Sequence, residues 1–400
     1  MRDFSGVTIA AGFEVPYLRH SAQHSTQDAA QSARTTTTEL IGRAIAGVLE
    51  QAGIETREVD GLGVASFTLP PDHAIDIAWR AGLSVRWCTD DCHGGASGIN
   101  LLQHAARAIQ AGDASVIVLV SGDHFEPRDF TSLVENYNAV TRDHLTPLRT
   151  GGPNPLFAML TQRQMRARGL RREDYAALCI AQRSWASLNP LAVYRGPLTV
   201  DAYLEAPIVS DPLCRFDCVP VVSGADAIVL TAASRVDHRR GTAARIGIRA
   251  LRASYNFDHQ QGDGLVTGLR GLRDALWQDA RCGPAEIDIV SVYDDYPAMV
   301  LAQLDDLGFA PDGDLHALIH ERIASRKLPV NTSGGQLSAG QAGAAAGMHG
   351  LVEAITQLRH AAGDRQIDAA RLAAVSGYGM VEYRYGMCAN AVVLERDEVA

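Results

Sequence analysis

No stretch of this 400-residue chain approaches the roughly 18 consecutive apolar residues that a membrane-spanning helix requires. The start, Met1-Arg2-Asp3-Phe4-Ser5-Gly6, has no apolar core long enough for a secretory signal. Basic residues are in the minority. The 36 Lys and Arg face 46 Asp and Glu, and the net charge of −10 disfavours wholesale binding to nucleic acid or an anionic membrane, leaving room only for a local basic patch. Seven cysteines, an odd count, exclude a complete disulfide set, so reduced thiols and a cytoplasmic location are expected. Cys88 with Cys92 and Cys214 with Cys218 are spaced i, i+4, wider than the pairs of structural zinc sites. They are expected as small core thiols, and no metal site is expected. What remains is an ordinary globular composition, 46% apolar and 20% charged, in a chain long enough for a large core and two or three domains.

The organisation is a repeat. Leu40, Ile41, Ala44, Ile45, Val48 and Leu49 recur at helical spacing, which predicts a helix over 38–52 ended by Gly53, with a short buried strand after Val59-Asp60-Gly61. The same phrase returns 228 residues later: a helix carrying Leu265, Leu269, Leu272, Leu276 and Trp277, then Glu286-Ile287-Asp288 and a strand to Tyr293. In the first half a Gly-rich turn at 92–98 precedes a helix over 99–111 and a strand over 115–121. In the second, residues 333–347 precede a helix over 349–361 and a strand over 371–376. Strands alternating with helices imply sheets covered on both faces, so two α/β halves, 1–240 and 241–400, are expected to pack together. Residues 123–208, richer in Arg, Pro and polar groups, read as an excursion of helices and loops inserted in the first half. Five arginines within Arg163–Arg172 read as a solvated helix face, with a phosphate-bearing ligand as the alternative.

The densest glycine segment, Asn331-Thr332-Ser333-Gly334-Gly335-Gln336-Leu337-Ser338-Ala339-Gly340-Gln341-Ala342-Gly343, lets backbone approach a ligand closely. It resembles the thiolase segment that reads Gly-His-Pro, with Gln341 at the histidine. Further motifs are Asn189-Pro190 to Val200, Ile208-Val209-Ser210-Asp211-Pro212-Leu213, Asp217-Cys218-Val219-Pro220 and Gly224-Ala225-Asp226-Ala227. Together they make the chain, from about Val7 to Glu395, similar to the sterol carrier protein x branch of the thiolase superfamily and its bacterial thiolase-like relatives. The resemblance implies a duplicated five-layer αβαβα fold and a homodimer. It also implies an acyl-CoA substrate, with coenzyme A part of that substrate and no tightly bound cofactor, and a possible small partner combining a zinc ribbon with an OB fold.

Thiolase chemistry needs a cysteine at a helix N-terminus, a histidine to activate it, a second acid/base group and oxyanion donors. Counting back from Gly112 to the register of the nucleophile reaches Gly95, with Cys92 three residues earlier, so either the nucleophile has been lost to glycine or a reshaped loop presents Cys92. His93 beside it is a candidate base. The family's His-Asp-Cys-Phe motif reads Tyr293-Asp294-Asp295-Tyr296 here. A tyrosine at this motif is similar to thiolase-like aldolases of steroid side-chain degradation, which also tend to have tyrosine at the position of Gln341. Tyr293, its pKa depressed, is expected as the base, with Asp294 or Asp295 orienting it. Tyr378, between Gly377 and Gly379, is expected on a tight turn, either as an active-site phenol or as packing. Gly95 and Gly379 are expected to hold the oxyanion through their N–H groups. Ser333, Gly334, Gly335 and Ser338 are expected to bind substrate. His349 is expected on a helix face, and Cys388 in the core of the last strand.

Three functions follow as expectations. Retro-aldol cleavage of an acyl-CoA needs neither Cys nor His and comes first. Thiolase-type acyl transfer through Cys92 is the second, and a non-catalytic acyl-CoA-binding subunit the third. The acyl group, steroid, aromatic or short-chain, stays open.

Overall fold

The computed structural model describes residues 3–19, 35–125, 127–139, 141–148, 152–235, 245–257, 262–382 and 385–397. Its first half is built on β1 (Val7–Glu14), α1 (Thr37–Ala52), β2 (Gly61–Ala65), β3 (Trp87–Asp90), α2 (Ser97–Ala111), β4 (Val116–Asp123) and β5 (Val222–Ala232). Its second half has β6 (Arg245–Tyr255), α3 (Gly268–Ala280), β7 (Ile289–Val292), α4 (Ala346–Leu358), β8 (Leu372–Glu382) and β9 (Tyr385–Asp397). The strands run in the order β7-β8-β9-β6-β1-β5-β4-β2-β3, and within this order the two halves meet where β1 pairs with β6, Ile9 opposite Ile246. The predicted half boundary at 240/241 lies outside the described residues.

The repeat is visible in hydrogen bonds. Asp60 accepts from the backbone N–H of Ser115 (2.7 Å) and Val116 (2.8 Å) at the start of β4. Asp288 accepts from Arg371 (2.8 Å) and Leu372 (2.9 Å) at the start of β8. Glu58 and Glu286 each accept the N–H three residues earlier, from Glu55 (2.8 Å) and Gly283 (2.7 Å). α1 starts where the Thr36 hydroxyl accepts from Glu39 N–H (3.2 Å) and ends at Gly53, whose φ of 65° suits glycine.

Alternation along the strands builds five layers. On β4, Val116, Val118 and Val120 face α1 with Leu40, Ile41, Ala44 and Val48 in an outer core. Ile117 and Leu119 face inward, where α2 (Ile99, Leu102, Ala105) and α4 (Met348, Leu351, Ile355) form the central layer with Ile289, Val392 and Leu394. Beyond the second sheet, Val290, Val292 and Val393 meet Leu269, Leu272 and Leu276 of α3. The central helices touch at Gly98, where any Cβ would run into the Gly347 carbonyl.

The excursion is helical, with α5 (Pro127–Glu135), α6 (Pro153–Arg168), α7 (Arg172–Ala186) and Val200–Leu204. Arg163, Arg166 and Arg168 lie on its exposed side. One expectation is corrected here. Tyr378 does not sit on a tight turn, because β8 continues past 376 and pairs Tyr378 with Ala389 of β9. Cys388 is buried in β9, as expected.

Candidate active site

β7 ends at Val292, and the next four residues lead into α8 (Pro297–Asp306). Tyr293 still pairs with β8, its N–H donating to Ser376 O at 3.1 Å. Tyr293 and Asp295 project to one side, while Asp294 turns to the other, toward the helix Gly335–Ala339. A cavity of about 120 Å³ opens on the first side. Its polar floor is Tyr293, Asp295, Tyr378 and Gln341, with Gly94, Gly95, Gly343 and Gly379 beside them, and the excursion roofs it with Phe130, Leu133, Val134, Tyr137, Leu156 and Phe157.

The floor is a connected network. The Tyr378 hydroxyl donates to Asp295 Oδ1, and the Tyr293 and Tyr378 rings meet edge to face with centroids 5.0 Å apart. Gln341 Nε2 donates to the Tyr293 hydroxyl oxygen at 3.1 Å and to Gln336 Oε1 at 3.1 Å. Its backbone is clamped on both sides, Gln341 N–H to Pro220 O (2.9 Å) and Val222 N–H to Gln341 O (3.1 Å). The amide therefore addresses the Tyr293 phenol.

Burial governs the protonation states. It lifts the Asp295 carboxyl to about 7, with the charge of Asp294 adding and the Tyr378 hydrogen bond opposing. Tyr293 is held well above the ordinary phenol value, first by burial and then by the neighbouring Asp295. This corrects the expectation of a depressed phenol, since removing water and adding an adjacent carboxylate both disfavour tyrosinate. At neutral pH Tyr293 is a proton donor, and Asp295 is the group poised to accept.

Other expected residues are placed differently. Asp294 is turned away from the cavity and caps the helix Gly335–Ala339, accepting from Gln336 N–H (2.9 Å) and from Gln182 Nε2 (2.7 Å). Burial lifts it to about 7 as well. It supports the loop and does not orient the Tyr293 hydroxyl; Gln341 does. Ser333, Gly334, Gly335 and Ser338 do not line the cavity. Ser333 Oγ bonds His349 Nε2 (2.8 Å), Ser338 Oγ accepts from Arg183 Nε (3.0 Å), and Gly334 and Gly335 leave room for Ala186 and Asp294. Cys92 is exposed and outside the cavity lining, and His93 turns to Asp91 (3.0 Å) and the ring of Tyr255. Among the described residues lining the cavity there is no cysteine. Gly95 explains why, because a Cβ there would run into the Tyr293 ring and the Tyr378 carbonyl. The tyrosine occupies the space that a nucleophile's side chain at 95 would need.

His349, expected on a helix face, lies on α4 and is buried. It bonds Glu14 Oε2 (3.0 Å) and the Tyr17 hydroxyl (3.1 Å), with Asp226 Oδ2 at 3.9 Å, tying α4 to β1 and β5. Burial opposes its charge, but Glu14 and Asp226 outweigh that and raise it to about 9. Tyr137 was not anticipated; burial lifts its phenol to about 12, and it packs edge-on against Phe67. Nothing local in the sequence marks it, since the excursion brings it to the site from another layer. Asp295 had a usable signal: two-residue alternation at the end of a strand separates it from Asp294.

Residues 256–395 match the family model described as Thiolase C-terminal domain-like. A 17-hydroxy-3-oxo-4-pregnene-20-carboxyl-CoA lyase of Mycobacterium tuberculosis is 29% identical over 337 residues, 80% of this chain and 86% of that one. An acetyl-CoA acetyltransferase of Methanothermobacter thermautotrophicus is 26% identical over 354 residues, 85% of this chain and 91% of that one. Among solved structures, an Ltp2-ChsH2(DUF35) aldolase superposes with a TM-score of 0.80 over 98% of both chains at 22% identity, a likeness of fold.

Proposed function

We propose that this chain, a thiolase-like enzyme, is a carbon–carbon lyase that cleaves a β-hydroxyacyl-CoA by a retro-aldol reaction. The observation that carries this reading is the Tyr293 ring filling the space beside Gly95, in a cavity whose described lining holds three phenols, a carboxyl and an amide but no thiol. An acyl-enzyme has no nucleophile there; a retro-aldol reaction needs none.

Asp295, raised to about 7, takes the β-hydroxyl proton. As the β-carbon–oxygen double bond forms, the Cα–Cβ bond breaks and its electron pair becomes the thioester enolate. The N–H groups of Gly95, in the turn before α2, and of Gly379, on β8, hold the enolate oxygen. Tyr293, its oxygen already accepting from Gln341, keeps its own O–H free to give a proton to Cα, and the proton taken up by Asp295 then passes to the phenolate, which restores both groups. The products are a ketone or aldehyde and a shorter acyl-CoA; neither water nor a redox partner is consumed. The apolar roof favours an apolar β-substituent, and the steroid acyl group named for the M. tuberculosis relative is the model for it. A homodimer, a small zinc-ribbon and OB-fold partner and a cytoplasmic setting belong to the same reading; the aldolase with the similar fold carries a second component in its name. No described helix is long and apolar enough to cross a membrane.

The test is incubation with β-hydroxyacyl-CoA thioesters bearing an apolar β-substituent, followed by mass spectrometry of products and protein. Release of the carbonyl product together with the shortened acyl-CoA, from unlabelled protein, supports the lyase. A thioester trapped on Cys92 would replace this reading with acyl transfer.

A further inference from the structure

Outside the cavity of the candidate active site, two histidines converge on one buried carboxylate. Asp174 stands in the first turn of α7, its side chain only 4% exposed, with Oδ2 fixed by the Arg171 N–H at 2.7 Å. That leaves Oδ1 facing outward. His316 and His320, spaced i, i+4 in the helical segment Leu315–Ile323, aim their Nε2 atoms at it from 3.8 and 2.7 Å, with ring centroids 4.4 Å apart. Both rings are accessible, His316 at 66% and His320 at 37%.

We propose that Asp174, His316 and His320 form a binding site for a divalent transition-metal ion, zinc in the first place. Two imidazoles and a carboxylate are a donor set zinc accepts, and tetrahedral bonds of about 2.0–2.1 Å put neighbouring ligand atoms about 3.3 Å apart. The observed 2.7 and 3.8 Å straddle that spacing, so small side-chain rotations suffice. The backbone hydrogen bond on Oδ2 plays the part of the outer partner that orients a ligating carboxylate. Exposure of the histidines gives an entry path and leaves the fourth position to water.

The ion would staple the excursion to the second half, since α7 belongs to the first and 315–323 to the second. α7 also carries Gln182, which holds Asp294, so the staple steadies the helix on which the catalytic loop leans. The proposal stands independently of the lyase reading.

The test uses the full chain, stripped with EDTA and titrated with zinc chloride by calorimetry, with metal content measured after gel filtration. One equivalent bound at micromolar Kd, with a thermal midpoint raised by zinc, is expected for the native protein. In His316→Ala/His320→Ala that equivalent and the zinc-dependent shift disappear, while the metal-free midpoint stays within a few degrees. Substoichiometric binding by the native protein, or equal binding by the double variant, overturns the site.

Discussion

In the proposed lyase, Tyr293 and Asp295 divide the acid and base work, because burial pushes both toward the neutral form. Removing the phenolic oxygen in Tyr293→Phe takes away the proton donor and leaves the ring that fills the space at Gly95. The expected result is a fall in kcat of about 10²-fold or more with KM changed little, measured on the β-hydroxyacyl-CoA. Asp295 gives the pH profile. Its carboxyl, held at about 7, is protonated below that pH and cannot accept the hydroxyl proton. The logarithm of kcat/KM should therefore rise with pH up to about 7 and then level, and Asp295→Asn should lose this limb along with most of the activity. Because Asp294 also titrates near 7, the limb reports the pair. Gly95→Cys, the change that puts a thiol at the nucleophile register expected from the sequence, should not confer acyl transfer. Its side chain collides with Tyr293 and the Tyr378 backbone, so soluble yield and lyase activity should both fall.

At the scale of elements, the two halves use one device twice. Asp60 and Asp288 each satisfy two backbone N–H groups where a strand begins, at distances that agree within 0.1 Å. Replacing either by Ala leaves two donors at a strand start without their partner, at a cost of about 2 kcal/mol. Urea unfolding should give similar losses for Asp60→Ala and Asp288→Ala. A large difference between them would mean that the repeat in sequence does not carry equal weight in the fold. The helix Gly335–Ala339 shows the opposite case. Its glycines look like a ligand cradle, yet its N-terminus is occupied by Asp294 and its glycines give way to Ala186 and Asp294.

At the scale of the whole molecule, the halves are held by the central helices and by the charged cluster that His349 makes with Glu14 and Asp226. The folded His349 holds its proton up to about 9, against about 6.5 when unfolded, so its stabilisation is complete below 6.5 and is lost as pH rises to 9. The thermal midpoint should therefore decline between pH 6.5 and 9, and His349→Gln should flatten the decline. A midpoint independent of pH over that window would show that the cluster carries no net proton linkage.

Periodicity, glycine placement and a repeated phrase were enough to determine two similar halves of alternating helices and strands, because each is a local pattern that a helix or strand must obey; the five layers and the choice of the Tyr-Asp-Asp-Tyr segment as a candidate site came from the family resemblance. Burial of Cys388 and the apolar faces of the first and third helices followed from the same rule. What local pattern did not contain was convergence. That Gln341 would reach Tyr293, that Tyr378 would hold Asp295 rather than turn a corner, and that Tyr137 would close the cavity depend on three layers meeting at one point. The role of Asp294, the burial of His349 and the direction of the Tyr293 shift were likewise decided by packing, since only neighbours distant in sequence set how much water, and which charge, each group keeps.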